Sequence, residues 1–470
     1  MVAEKYLYIK TFGCQMNVHD SEQIATLLKA SGYESTDDFR KADLIIINTC
    51  SIREKAAQKV YSQLGKFREL KRSKPGLIIG MGGCLAQQWR SKIFTRAPFL
   101  DLVFGTHNIH QLPDLIRTIE TTGSRVEETT FHESVKAVGI VALPQNGAIS
   151  AYVTIMQGCN NFCSFCVVPY LRGPEVSRPS QDIIDEVKAL ADHGIREAIL
   201  LGQNVNSYGK TMGTDFAALL HEVGKIGGVE RIRYTTSHPK DLSFDLMKCY
   251  TDVNKLCEHI HLPVQSGSDL ILKRMNRGYT KAQYLDKVES LRNIRPDISI
   301  TSDMIVGFPG ETERDFQETI DLMEKVRFDN LFSFKYSERE GTAAVKFADK
   351  IDECIKRERL QALQSLQEKH TLERNRALEG RIEDVLVEGV SKKMPSEMMG
   401  RTRSNKIVNF RGKKELIGKT VSVLITEAYL HSVKGELHQK GGTDAYRNEG
   451  IRIDVRSDHE YTNCNFERSP

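Results

Sequence analysis

The sequence lacks the features of membrane and secreted proteins. Its apolar runs are short, such as residues 44–47, whereas a helix that spans a bilayer needs about 20 apolar residues in a row. Residues 1–5 show no signal peptide, and ten cysteines without one indicate a reducing compartment. We therefore expect a soluble, cytoplasmic protein with no membrane partner.

A strong net charge is also missing. The 470 residues carry a formal net charge of +4, which is too small to indicate a nucleic-acid partner, so any basic surface has to be sought locally. The thirteen histidines show no HExxH or similar metal-binding spacing, and His238 is only a candidate for the rim of a site. The length predicts about two to four domains.

A fourth metal ligand is missing from the most informative stretch of the chain. Cys159, Cys163 and Cys166 share one short loop after the apolar run at 151–156. Structural zinc sites close with four ligands, and the residues between these cysteines supply no further thiolate or imidazole. Zinc binding and packing of buried thiols remain the alternatives. A [4Fe-4S] cluster fits better, because three thiolates hold the cube and leave one iron open to an outside ligand.

The first part of the chain alternates predicted strands and helices, as expected for a buried parallel sheet in an α/β domain at 3–120. Asp20 is the candidate N-cap of the first helix, and the polar residues 121–147 are interpreted as a linker. The predicted strands are 6–11, 43–48, 76–81 and 99–104, and the predicted helices are 20–29, 52–71, 87–95 and 110–119.

Three more cysteines occupy equivalent places in this domain. Cys14, Cys50 and Cys84 each follow the end of a predicted strand. The carboxyl ends of parallel strands meet at one edge of a sheet, where ligands bind and where helix N-termini favour an anionic group. The alternative is three unrelated small core residues. Their shared position predicts a second three-cysteine iron–sulfur site, again with one open iron.

Six further strands predict a partial (β/α)6 barrel at 148–375. Barrels of parallel strands carry the active site at the carboxyl rim, so the polar loops after these strands should line one cavity with the cluster. Gln203 and Gln265 lie in two of these loops, and Asp303 interrupts an apolar run, where it either meets a ligand or satisfies buried backbone. The strands begin near Ala151, Glu197, Arg231, Glu258, Ile298 and Asn330.

The last part of the chain changes to short alternating strands, which predicts a small antiparallel β-barrel at 378–441. The basic stretch 400–406, with Phe410 and the cations that follow it, suits an RNA backbone with occasional base stacking. A solvated charged face is the alternative. A polar tail follows at 442–470. Four other cysteines lack paired spacing and are interpreted as ordinary: Cys249, Cys257, Cys354 and Cys464.

Over about residues 3–440, the chain resembles the methylthiotransferase family of radical S-adenosylmethionine (SAM) enzymes. The order of the three domains agrees, the last is similar to a TRAM RNA-binding module, and the six cysteines show no departure. The motifs that carry the resemblance are TFGCQMN at 11–17, NTCSIREK at 48–55, GCLAQ at 83–87 and CNNFCSFCVVPYLRG at 159–173.

The resemblance implies two [4Fe-4S] clusters and the consumption of two SAM molecules. One SAM yields a 5′-deoxyadenosyl radical at the cluster of Cys159, Cys163 and Cys166, and the other methylates sulfur associated with the N-terminal cluster. By the same resemblance Phe165 packs near the SAM adenine. Arg178, which could meet the SAM carboxylate or lie on the surface, completes the candidate cofactor-binding set with Gln203, Gln265 and Asp303.

The implied substrate is N6-(dimethylallyl)adenosine at position 37, in the anticodon loop of tRNA, which gains a 2-methylthio group. Residues 15–17 and 51–53 favour this branch of the family. The alternatives are a sister enzyme that acts on threonylcarbamoyl-adenosine tRNA or on a ribosomal-protein aspartate, and a non-catalytic iron–sulfur RNA-binding protein. We expect a monomer that depends on a reductase and a sulfur donor of unknown identity.

Overall fold

The computed structural model of the protein describes residues 4–50, 54–132 and 147–438. The predicted architecture is confirmed in these ranges: a parallel α/β domain, a partial barrel and a small closed β-barrel follow one another. None of the helices described is long and apolar enough to cross a membrane.

The first domain is built on a six-stranded parallel sheet with the strand order β2-β1-β3-β4-β5-β6. Every residue of the two central strands β3 and β4 is buried, as expected for a sheet covered on both faces. The elements are β1 (Lys5–Thr11), α1 (Gln15–Lys29), β2 (Tyr33–Ser35), β3 (Leu44–Thr49), α2 (Glu54–Ser73), β4 (Ile78–Gly83), α3 (Cys84–Trp89), α4 (Lys92–Arg96), β5 (Leu102–Phe104), α5 (Leu112–Thr122) and β6 (Val126–Glu128).

The four strands predicted from the sequence are all present, but β2 and β6 were missed because each is a three-residue segment with mostly polar residues. Strand β6 pairs with β5 inside the stretch interpreted as a linker. The sheet therefore extends beyond residue 120, and residues 133–146 of that stretch lie outside the described ranges.

Helix α1 begins at Gln15, so the prediction of Asp20 as its N-cap is wrong. Cys14 holds the N-cap position in an extended conformation, with φ −99° and ψ 177°. Asp20 is buried within the helix, where its carboxylate accepts a hydrogen bond of 2.8 Å from Arg172. A capping-type residue is thus used for a buried ion pair instead.

The central domain contains the six predicted parallel strands, arranged as two sheets with the orders β11-β10-β7 and β12-β13-β14. The N–H of Ile232 in β11 donates to the carbonyl of Lys255, and its carbonyl accepts from the N–H of Cys257, so β11 is joined to the segment that leads into β12. The elements are β7 (Ser150–Thr154), β8 (Met156–Gln157), α6 (Val168–Leu171), β9 (Val176–Ser177), α7 (Ser180–Asp192), β10 (Glu197–Leu201), α8 (Phe216–Gly224), β11 (Arg231–Tyr234), α9 (Phe244–Asp252), β12 (His259–His261), α10 (Asp269–Arg274), α11 (Lys281–Ile294), β13 (Ser299–Val306), α12 (Glu313–Val326), β14 (Asn330–Lys335) and α13 (Glu353–Arg376).

Strand β13 shows which strand faces point into the barrel. Ile300 and Met304 are fully buried in the core that also contains Leu322 and Phe328. Because side chains alternate along a strand, Asp303 points to the opposite face. That face is the barrel interior, which the carboxyl-end loops surround.

The C-terminal domain is a closed five-stranded barrel with the strand order β15-β16-β17-β19-β18. Phe410 is fully buried in its core with Val385 and Val408, so the prediction that it stacks on RNA bases is wrong. The strands are β15 (Ile382–Val390), β16 (Glu397–Thr402), β17 (Ile407–Arg411), β18 (Thr420–Ala428) and β19 (Val433–Leu437).

Candidate functional site

The loop with Cys159, Cys163 and Cys166 leaves the barrel directly after β8. Gly158 has a φ of +80°, and a Cβ there would overlap the backbone carbonyl of Pro174. Its N–H donates a 2.6 Å hydrogen bond to Oε1 of Gln203, and the N–H of Cys159 donates to the carbonyl of Gly173 at 3.3 Å. Gln203, a predicted cofactor residue, thus fixes the start of the cysteine loop.

The middle cysteine of this loop lies against a buried guanidinium. Arg277 donates from Nη1 to the sulfur of Cys163 at 3.3 Å and from Nη2 to the carbonyl of Pro263 at 2.5 Å. The guanidinium therefore places a positive charge beside this sulfur. Nε2 of His238 is 3.9 Å from the same sulfur. Burial, together with Arg277 and Lys240, lowers the pKa of His238 to about 2, so the imidazole is neutral.

The loop backbone is strained between its first two cysteines. Phe162 has a φ of +46°, in the left-handed region that side chains other than glycine rarely adopt. Nδ2 of Asn276 donates to the carbonyls of Asn161 and Phe162, at 3.2 and 3.1 Å, and holds this conformation. Such strain is typical of functional loops that the surrounding structure enforces.

The second group of cysteines gathers at the carboxyl edge of the first sheet, as predicted from their shared topological position. Cys14 caps α1, Cys50 follows β3, and Cys84 is the first residue of α3. Gly13, with a φ of +123°, passes so close to Cys50 that a Cβ on it would lie 2.5 Å from the Cβ of that cysteine. Residues from three separate strand ends therefore share one location.

Arg172, which sequence analysis did not single out, connects the two groups of cysteines. It lies just after α6, six residues beyond Cys166, and its guanidinium is near enough to the thiol of Cys84 to lower the pKa of that thiol against the effect of burial. Nη2 also donates to Asn17 at 3.0 Å and to Asp20 at 2.8 Å. The signal for it was its place inside the motif CNNFCSFCVVPYLRG, but nothing in the sequence says that this arginine reaches another domain.

The electrostatics of Arg172 suit an anionic group beside it. Burial alone would lower its pKa, but the carboxylate of Asp20 and the thiols of Cys84 and Cys14 raise it above the ordinary value. Burial raises the pKa of Cys84, and Arg172 opposes this shift. The buried cation therefore compensates for negative charge on the cysteine side of the first domain.

The donor sets fit [4Fe-4S] clusters with three protein ligands. Burial raises the pKa of Cys159, and it raises that of Cys166 to about 12, so a thiolate there needs a positive partner such as iron. Within the described ranges, no three Cys, His, Asp or Glu side chains converge on a point that a single metal ion would occupy. A cube has no such requirement, because each thiolate binds a different iron.

Three other candidate cofactor residues, Gln265, Asp303 and Phe165, lie in two different places. Gln265 and Asp303 lie in the barrel interior: the N–H of Gln265 donates to the carbonyl of Asp303 at 2.9 Å, and the Asp303 carboxylate is 3.3 Å from His261. Gln265 has a strained φ of +77°, and its Oε1 is buried without a hydrogen-bond partner in the described structure. Phe165 packs beside a small core that includes Phe308.

Arg178 is buried, which excludes the interpretation as a surface residue. It pairs with Glu186 at 2.7 Å and donates to the carbonyl of Thr154 at 2.6 Å. The hydroxyl of Thr154 is in turn 2.9 Å from Nδ1 of His19 on α1. Arg178 therefore belongs to a buried network that joins the first two domains.

The basic hairpin of the C-terminal barrel is not the free RNA-binding face that the sequence predicts. Arg403 binds the Glu258 carboxylate at 2.8 Å, and Lys406 binds Asp329 at 2.9 Å, so both cations serve carboxylates of the central domain. Two buried arginines, Arg231 and Arg233, donate to backbone carbonyls of the same hairpin. Partly buried carboxylates need such partners, and the hairpin charges dock the two domains.

Comparison with known families agrees with this division into three parts. Residues 6–105 match the uncharacterised protein family UPF0004, residues 153–323 match the radical SAM superfamily, and residues 376–438 match the TRAM domain.

Two relatives match nearly the whole chain. A tRNA-2-methylthio-N(6)-dimethylallyladenosine synthase of Syntrophus aciditrophicus is 64% identical over 436 residues, which cover 92% of this chain and 95% of the relative. A protein of the same name from Geobacter sulfurreducens is 53% identical over 442 residues, which cover 93% and 98%.

Among solved structures, the radical S-adenosylmethionine methyltransferase TsrM from Kitasatospora setae, with cobalamin and a [4Fe-4S] cluster bound, is similar in fold. The match has a TM-score of 0.56 and 14% sequence identity, and it covers 73% of this chain and 77% of that one. At this identity the likeness concerns the fold alone.

Proposed function

Because the chain belongs to the tRNA-2-methylthio-N(6)-dimethylallyladenosine synthase family, we propose that it adds a methylthio group to carbon 2 of N6-(dimethylallyl)adenosine at position 37 of tRNA. It is a radical SAM methylthiotransferase. The observation that carries the proposal is the presence of two three-cysteine groups that one segment, residues 166–172, connects.

Carbon 2 of adenine explains the need for a radical enzyme. Its C–H bond is neither acidic nor electrophilic enough for ordinary nucleophilic substitution. A [4Fe-4S] cluster with an open iron supplies the electron that cleaves SAM and thereby starts hydrogen abstraction from such a bond. The chain's own contribution is to hold the thiolates, orient SAM and substrate, and exclude water.

We assign the two groups of cysteines different roles. Cys159, Cys163 and Cys166, with Arg277 beside them, would hold the cluster that meets SAM at the carboxyl rim of the barrel. Cys14, Cys50 and Cys84, with Arg172 beside them, would hold a second cluster that carries the sulfur to be transferred. Gln265 and Asp303 are the proposed polar contacts for SAM or the target base, which the unpartnered Oε1 of Gln265 supports.

The TRAM domain offers another surface for the tRNA. The register of β16 with β17 pairs Glu397 with Arg411, which places Arg411 and the turn before β16 at the end opposite to the docked hairpin. We propose that this end contacts RNA phosphates, because its cations are exposed: Lys392, Lys393, Arg411, Lys413 and Lys414.

Two assays test the proposed function. Reduced protein with SAM should release 5′-deoxyadenosine, which a non-catalytic iron–sulfur RNA-binding protein would not do. Mass spectrometry of tRNA nucleosides from a deletion strain should show loss of 2-methylthio-N6-(dimethylallyl)adenosine and accumulation of its unthiolated precursor. Loss of a threonylcarbamoyl derivative instead would identify the sister reaction and overturn the substrate assignment.

We propose a cytoplasmic monomer that receives electrons from a reductase and sulfur from a separate donor. Sedimentation of the anaerobic holoprotein at several concentrations measures the oligomeric state, and a concentration-dependent increase in mass would contradict a monomer.

A further inference from the structure

A cavity of about 320 Å³ lies between the central domain and the basic hairpin of the C-terminal barrel. Its volume is at the lower end of the range for small-ligand sites. The proposed chemistry at the cysteines does not use it. We call it the junction cavity, and its walls include His259, Thr301, Asn330 and Phe332 from β12–β14 and Arg401 and Asn405 from the hairpin.

Phe332 gives the junction cavity an exposed aromatic surface. Its side chain is 51% exposed, although the ring belongs to a strand of the barrel. It pairs with Asp303 across β13 and β14, so it faces the barrel interior, and its ring meets that of His261 edge to face at 5.9 Å. An exposed aromatic ring of this kind can stack on the flat face of any nucleobase, because all bases have such a face.

The hairpin wall of the cavity provides fixed polar groups rather than free charge. Arg401 binds Glu388 at 2.9 Å and donates to Asn405 Oδ1 at 3.3 Å, and Lys406 is paired with Asp329. Asn375 also lines the cavity, and its Oδ1 is buried without a hydrogen-bond partner in the described structure. Positioned donors and an unsatisfied acceptor suit the edge of a base better than a phosphate.

The junction cavity lies beside the proposed substrate site. Thr301 lines it, and the Thr301 hydroxyl is within 3.2 Å of His259 and 3.0 Å of His261. Asp303 lies two residues further along the same face of β13, a distance of about 7 Å. A chain that passes from the cavity to Asp303 therefore needs to bridge only a short gap.

We propose that the junction cavity binds one nucleotide of the substrate RNA loop, a neighbour of the modified base, with its base stacked on Phe332. This inference rests on the proposed function in one respect, namely that the substrate is RNA. It assigns the basic hairpin a role as the wall of a base-binding pocket, in addition to docking the two domains.

An abasic scan of the RNA combined with a protein substitution tests the proposal. The probe is an unmodified anticodon stem-loop RNA with one base removed at each loop position in turn, and binding to the anaerobic holoprotein is measured by fluorescence anisotropy. Phe332→Ala should weaken binding of the intact RNA by about five- to 150-fold, the range for loss of one stacked base. At one position beside the target, base removal should weaken binding to the wild type and have no further effect on the variant.

The matched control is Phe244→Ala, which removes a surface phenylalanine that is 58% exposed on α9. This variant should bind every RNA like the wild type. Asn405→Gly removes a side chain that lines the cavity. Glycine readily adopts the φ of +67° found at this position, so the turn is kept. Binding by this variant should depend on the same loop position of the RNA as binding by Phe332→Ala, but with a smaller effect.

Equal effects of base removal on wild type and Phe332→Ala at every loop position would overturn the proposal, as would unchanged binding of the intact RNA. Neither result bears on the reaction, because methylthio product and 5′-deoxyadenosine are measured separately. Conversely, a chain that makes no methylthio product but shows the position-specific coupling would retain the cavity and lose the proposed function.

Discussion

The two groups of three cysteines come together by opposite routes. Cys159, Cys163 and Cys166 share one loop, so little chain entropy is lost when they come together. Cys14, Cys50 and Cys84 come from three strand ends, and only the complete parallel sheet brings them to one edge. One site is a local property of the sequence, whereas the other is a property of the fold.

The supporting contacts differ in the same way. The loop site is held by Gln203, Asn276 and Arg277, all from the central domain itself. The sheet-edge site depends on Arg172, which arrives from the central domain and pairs with Asp20 in the first. The sheet-edge site is therefore complete only when both domains are docked, and substitutions in each group test whether the two sites can be separated.

Removal of one cysteine from each site should have the largest effect. Cys50→Ala should lower the iron content from about eight to about four per chain and abolish methylthio product, while reduced protein still cleaves SAM. Cys163→Ala should also lose about four irons but abolish both activities. Iron and sulfide analysis, 5′-deoxyadenosine release and nucleoside mass spectrometry measure these outcomes. Unchanged iron content in Cys50→Ala would show that Cys50 does not hold a cluster at the sheet edge.

Two glycine substitutions should each disturb one site and leave the other intact, because each adds a methyl group that clashes within a single site. Gly158→Ala forces a Cβ into the Pro174 carbonyl and should suppress SAM cleavage by more than about tenfold, because the loop has to shift. Gly13→Ala forces a Cβ against Cys50 and should reduce sheet-edge iron while SAM cleavage persists.

The control for both glycines is Gly194→Ala. Gly194 has a φ of +88° with no atom within 4 Å of a built Cβ, so it reports the backbone cost alone, about 1–2 kcal/mol. Gly158→Ala and Gly13→Ala should each lose more iron per chain than this control. Equal losses in all three would mean that conformational strain, rather than contact with the cysteine sites, decides the result.

The sequence predicted what local patterns determine. All six barrel strands and the four predicted strands of the first sheet, three of them followed by cysteines, depend on apolar runs that can be read directly. Strands β2 and β6 were missed because their three residues are mostly polar, whereas the equally short β5 is apolar throughout. Cys14, Cys50 and Cys84 could be assigned to one edge of the sheet because parallel strands place equivalent ends together.

Pairing between distant charges was not predictable in the same way. The basic hairpin was interpreted as an RNA surface because Glu258 and Asp329, which neutralise Arg403 and Lys406, lie far away in the sequence. Asp20 was interpreted as a cap for the same reason, since its partner Arg172 is in another domain. Charge composition counts cations, but only the fold says which of them are already paired.

Substitution of the two buried arginines should have a smaller, site-specific effect. Arg277→Gln should lower the reduction potential of the loop cluster, and Arg172→Gln that of the sheet-edge cluster, on the order of tens of millivolts, because each removes a cation beside a thiolate. Redox titration followed by electron paramagnetic resonance separates the two signals. Because Arg172→Gln also leaves Asp20 without its partner, the double variant Arg172→Gln/Asp20→Asn is the control. If Arg172→Gln changed the reduction potential of the loop cluster, the assignment of Arg172 to the sheet edge would be wrong.

Substitution of Gln203 should have the smallest effect and decides between two roles for this residue. If its Oε1 serves only as acceptor for the Gly158 N–H, Gln203→Ala leaves one donor unsatisfied, a loss of about 1–3 kcal/mol confined to the loop. The visible absorbance of the loop cluster should then bleach faster in the presence of a chelator, while the KM for SAM stays unchanged. Gln203→Glu keeps an acceptor oxygen and should bleach like the wild type. A raised KM for SAM with normal bleaching would instead make Gln203 a cofactor contact, and the loop site would then depend on its ligand as well as on its own chain.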